Sequence, residues 1–142
     1  MSGKIGSAGS KSGAIGTTEL DYEEGTWTPG LSNSPGIVVT NAHYTKIGRL
    51  VTATCYFTAT GAGTTKSLTG FPFTSGGSGQ QTIGAAVCGN IDFSSGQTAI
   101  AIMMGPSSTI GNIVTYGDNA SYNQLITFSN NDFFMCTITY YI

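Results

Sequence analysis

At 142 residues the chain has the length of one ordinary domain. Charged residues make up only 8% and apolar residues 39%, with a net charge of −2, which excludes a sizeable basic field for holding nucleic acid. Gly, Ser, Thr and Asn fill the place of the missing charge, a mixture that favours strands joined by tight turns over helices.

Residues 1–20 form a segment apart, an extended Gly/Ser-rich arm in which Ile5 and Ile15 are the only large apolar residues between Met1 and Leu20. Such a segment buries too little to fold alone. It is expected to be held by another protein, with Ile5 and Ile15 as its anchors. Residues 1–19 contain no apolar core of a secretory signal, and no run of the chain approaches a membrane span.

From residue 21 to 142 the pattern is alternation, read as a single knob domain. Short strands are expected at Trp27–Thr28, Ile37–Thr40 and His43–Ile47. The clearest run follows, with Val51, Ala53, Cys55, Phe57 and Ala59 on one face and Thr52, Thr54, Tyr56 and Thr58 on the other. Thr65–Leu68 comes next, then Thr82–Phe93, which groups Ile83, Ala85, Val87, Ile91 and Phe93. Ala99–Met104, Ile110–Tyr116 and Gln124–Phe128 lead to a last run with Phe134, Cys136, Ile138, Tyr140 and Ile142 on one face. Turn-forming clusters separate these runs, among them Asn33–Gly36, Gly61–Gly63, Ser94–Gly96 and Ser129–Asp132. No window holds a helical period. The expected fold is all-β, an antiparallel sandwich or jelly roll.

Ala99–Met104 is apolar at every position, and Phe133–Met135 adds to it. A sandwich strand should turn one face to water. Ile100, Ile102, Met103, Met104, Phe133 and Met135 are therefore candidates for a buried interface between subunits.

Candidate chemistry is sparse. Gly61–Ser67 has glycines and a lysine, but a phosphate loop needs Gly directly before the Lys and a helix after it; here Thr65 precedes Lys66 and a strand is expected. His43 is the sole histidine and no Gly-x-Ser-x-Gly elbow accompanies it. Glu23 and Glu24, adjacent in extended chain, face opposite ways and make no acid–base pair. Asp92, Asp118 and Asp132 are scattered, and the three cysteines, Cys55, Cys88 and Cys136, show no metal-ligand spacing. No metal, cofactor or catalytic residue is expected, and the cysteines read as buried reduced thiols. Tyr116, Asp118, Asn119, Tyr122 and Asn123 place two aromatics among short polar side chains in an expected loop. That combination suits sugar rings, and makes them candidate contacts to a host-surface carbohydrate. Asn119-Ala120-Ser121 also fits a glycosylation acceptor, taken as chance.

Three blocks carry a resemblance: LDYEEGTWTPGLS from Leu20, HYTKIGRLVTATCYF from His43, and LTGFPF from Leu68. In this order they resemble a module of bacteriophage tail fibres and related virion proteins. Tyr22–Pro29, Tyr44–Gly48 and Leu68–Phe73 match, the last strand fits loosely, and Ser75–Gln124 shows no match. The resemblance implies a homotrimeric knob displayed on the virion surface after assembly in the host cytoplasm. Its partners would be itself and, through the arm, a capsid or tail protein. A short fibre tip and a head decoration protein that stabilises the capsid both fit. A glycan-degrading tail enzyme fits worse, because the acids are few.

Overall fold

The computed structural model describes residues 14–15, 18–19, 21–33, 35–118, 120–123 and 126–142, with backbone alone at 14–15, 18–19, 120, 122 and 123. The expected anchor Ile5 lies outside the described residues. Among the described residues the chain forms fourteen strands and no helix. They are β1 (Ala14–Ile15), β2 (Thr18–Glu19), β3 (Tyr22–Thr26), β4 (Gly30–Leu31), β5 (Ile37–Ile47), β6 (Leu50–Ala59), β7 (Gly63–Thr65), β8 (Ser67–Thr69), β9 (Thr82–Gly89), β10 (Ala99–Met104), β11 (Gly111–Gly117), β12 (Ala120–Asn123), β13 (Ile126–Phe128) and β14 (Phe133–Tyr141). Within the arm, β1 and β2 pair as a short antiparallel hairpin, with Ile15 opposite Thr18.

One antiparallel sheet organises the rest, in the order β3-β5-β6-β14-β9-β10-β11-β8-β4, with β12 beside β11. Its two ends are consecutive in sequence. From Thr26, at the end of β3, four Cα steps reach Gly30, the start of β4, a reach of at most about 14 Å. Nine strands laid flat would separate these edges by about 38 Å. The sheet therefore curls on itself, and Trp27–Pro29 bridges its edges. The result is a half-barrel, the all-β sandwich-like architecture expected, with its core on the concave side.

The alternating runs fill that core. Val51, Ala53, Cys55, Phe57 and Ala59 of β6 face inward with Phe134, Cys136, Ile138 and Tyr140 of β14. Phe57 lies between Phe128 and Phe134, with ring centroids 5.9 and 5.5 Å away. The separate β13–β7 pair supplies Phe128 and Ile126, both buried.

Several elements differ from expectation. Ile37–Ile47 is one strand, its register shifting between Val39 and Asn41, where a bulge absorbs the break read in the sequence. The expected strand Thr65–Leu68 is split at Lys66, between β7 and β8. There the Thr65 hydroxyl donates to the Ser32 carbonyl at 2.5 Å. The loop expected at Tyr116–Asn123 is a hairpin, with Gly117 paired to Ala120. On β9 the alternation is inverted. Gly84 and Ala86 turn to the concave side, while Ile83 and Val87 turn outward and are 72% and 56% exposed.

Tyr140 ties the core to pH. Its side chain is buried, its hydroxyl donates to the Phe73 carbonyl at 3.2 Å, and burial pushes the phenol from 10.0 up to about 12. The folded state thus holds this proton more tightly than the unfolded chain. The contribution is complete below pH 10 and is lost as pH rises toward 12, a loss of roughly 2 kcal/mol. Urea midpoints measured from pH 9 to 12 should fall for the wild type and fall less for Tyr140→Phe.

Candidate interaction surface

The convex face of the sheet is built by the residues that the core leaves over. A single row of register partners crosses seven strands: Thr26, His43, Thr54, Thr137, Ala85, Ala101 and Val114. The row changes character at its middle, polar on β3, β5, β6 and β14 and apolar on β9, β10 and β11. Neighbouring rows follow it. Thr52 and Thr139 join hydroxyls at 2.9 Å on the polar half, while Met103 sits between Ile83 and Asn112 on the other.

On the apolar half a groove of about 350 Å³ is lined by Ile83, Ala101, Met103, Val114 and Tyr116. Ala101 and Val114 form its buried floor, while Ile83 and Tyr116 stand exposed beside it. A second depression, about 340 Å³, lies where the two halves meet; Asn41, Thr54, Tyr56 and Thr137 line it with Ala85, Val87 and Met135, together with Ala86 and the buried Cys55 and Cys136. No charged side chain lines either hollow.

The six residues read as an interface separate accordingly. Ile100, Ile102 and Met104 are buried in the chain's own core. Met103 and Met135 lie on the convex face, and Phe133 packs edge-on against Tyr56 at 6.2 Å. Of the carbohydrate candidates, Tyr116 joins Met103 in the apolar groove, and Asp118 is exposed in the β11–β12 turn. Asn119 lies outside the described residues, and Tyr122 and Asn123 are described only as backbone of β12. Sequence reading missed Ile83 and Val87, since apolar residues in alternation read as the buried set; the small residues at Gly84 and Ala86 were the available signal.

Among the described residues, titratable side chains meet in pairs. Among the described residues no three of His, Cys, Asp and Glu form a metal-ligating group. Glu24 accepts from Tyr22 at 2.6 Å and Glu23 from Tyr44 at 2.7 Å, and these hydrogen bonds hold both phenols above their usual range. The two carboxylates thus have separate partners, on strand positions of opposite parity.

The three blocks quoted from the sequence meet in space. Trp27 stacks on Phe71 at 4.7 Å, Tyr44 meets Phe73 edge-on at 5.3 Å, and the buried Lys46 pairs with Asp21 and lies 5.9 Å from the Phe73 ring. Gly70 takes a φ of +85° with its α-carbon against the Thr28 carbonyl, where a side chain would collide. These residues join the sheet's two edges, so the blocks encode closure of the half-barrel. No protein-family model, curated protein or solved structure matches the chain.

Proposed function

We propose that this chain is a structural attachment module of a bacteriophage particle, a homotrimeric surface knob held to a capsid or tail protein by residues 1–20. The observation that carries the reading is the apolar half of the convex face. Ile83, Val87, Met103, Met135 and Tyr116 crowd one side of a sheet whose concave side already holds the core. Burying such a surface against sister subunits removes it from water at about 25 cal/mol per Å². The resemblance of the three blocks to virion knobs supports the same assignment. The arm would dock by adding its backbone to a neighbour's sheet edge. A capsid decoration role, stabilising the head without contacting a receptor, is the nearest alternative.

Light scattering on the purified full chain tests the oligomer. Three chains per particle are expected, and Met103→Glu should yield monomer, because an unpaired carboxylate in the contact costs several kcal/mol. A wild-type monomer at micromolar concentration would overturn the trimer. Retained circular dichroism in the variant separates loss of assembly from loss of fold.

A further inference from the structure

The two central strands β6 and β14 carry a cysteine each, and the register sets Cys55 directly opposite Cys136. Their sulfurs lie 3.6 Å apart and both thiols are free. Opposed residues of antiparallel strands have α-carbons about 4.5 or 5.5 Å apart, depending on which kind of pair they form. A disulfide accepts about 4.4–6.8 Å. Either kind of pair therefore admits the bond by side-chain rotation.

We propose that Cys55 and Cys136 form a latent covalent lock whose state is set while the chain folds and is then retained. The pair is 3% and 5% exposed, flanked by Phe57 and Phe134 on the same concave face. Closure by a small-molecule disulfide such as oxidised glutathione takes two exchanges. One cysteine thiolate attacks the reagent's S–S bond, forming a mixed disulfide and releasing one glutathione thiolate. The second cysteine thiolate then attacks the protein sulfur of that mixed disulfide, releasing the other glutathione. The two cysteines lose two electrons and their two protons; the reagent is reduced to two thiols. Both cysteines belong to the packed core cluster, so a mixed disulfide as bulky as glutathione's must displace core side chains, and the exchange requires these strands apart. In the folded chain the shared hydrogen bond with Cys55, together with burial, raises the Cys136 thiol well above its usual range, which starves attack by that sulfur of thiolate. Because both partners belong to the middle of the sheet, their separation demands opening close to global unfolding. A chain folded under reducing conditions stays a dithiol in an oxidising medium, and a chain folded under oxidising conditions stays locked in a reducing one.

The test uses the full chain carrying Cys88→Ser, which removes the third thiol. Protein refolded from denaturant with oxidised glutathione should contain the Cys55–Cys136 disulfide by peptide mass mapping. Its melting temperature should exceed that of dithiol protein by about 10 °C or more, since the bond closes a loop of some eighty residues. Folded dithiol protein given the same reagent should remain unmodified over hours, and folded disulfide protein should resist dithiothreitol over the same period. Rapid oxidation or reduction of the folded protein would overturn retention. A mixed disulfide as the refolding product, or a lowered melting temperature, would overturn the lock itself.

Discussion

Trp27→Ala should lose about 4 kcal/mol of folding stability. Trp27 occupies the bridge between the sheet's edges, stacks on Phe71 with planes 22° apart, and is buried. Its indole N–H donates to the carbonyls of Thr54 at 3.0 Å and His43 at 3.3 Å, while its backbone N–H donates to Ala42 at 3.2 Å. Truncation removes the ring from the core and opens a cavity against Phe71, at the point that keeps β3 and β4 together. Trp27→Phe retains much of the stacked area and loses only the indole hydrogen bonds, so its cost should be smaller, about 1–2 kcal/mol. Urea denaturation followed by circular dichroism measures both, since Trp27 is the only tryptophan and its fluorescence disappears with it. A Trp27→Ala midpoint equal to wild type would mean that the edges are held without the bridge.

Gly84→Val should be more damaging still, with a loss above about 4 kcal/mol. Gly84 faces the concave side of β9 beside Ile102 of β10. A β-carbon there would meet the Thr137 carbonyl oxygen, and would lie 2.7 Å from the β-carbon of Ile138 and 2.8 Å from a methyl of Ile102. Ile138 and Ile102 are fully buried, and the carbonyl belongs to the backbone of β14, so none of the three can step aside cheaply. The expected outcome is failure to accumulate as folded protein. Gly105→Ala serves as control, because a β-carbon there meets nothing within 4 Å. Equal soluble yield and equal melting temperature for Gly84→Val and wild type would refute the close approach of β9 to β14.

The strands of this fold were legible wherever one face is consistently buried. On β6 and β14 every second residue is apolar and buried, and Thr52, Thr54, Thr58, Thr137 and Thr139 stand among the alternate positions, because the concave face excludes water and the convex face on that half meets it. On β9 the same rule misleads, since both faces are apolar and the larger residues point away from the core. Period two cannot say which side is inside when a strand has two apolar sides. The curl was not legible either. It depends on β3 and β4 lying at opposite ends of a nine-strand path while adjacent in sequence, a non-local fact that no local pattern encodes. Of the interaction surface, Met103 and Met135 could be singled out from double-sided apolarity. Ile100, Ile102 and Met104 share that apolarity but belong to the core, and only the register with β9 and β11 tells them apart.

The position of β14 has a consequence for the order in which the protein can be made. This strand lies between β6 and β9 and pairs with both along most of its length, yet it follows every other strand of the sheet in sequence. During synthesis β3, β5 and β6 can assemble as one ribbon, and β9, β10 and β11 as another. Until Phe133–Tyr141 emerges, each ribbon carries an open edge where β14 belongs. Those edges are matched in composition to a strand that does not yet exist, so nascent chains on one messenger present each other with complementary, unpaired β-structure. Completion is a single late insertion that closes two edges at once.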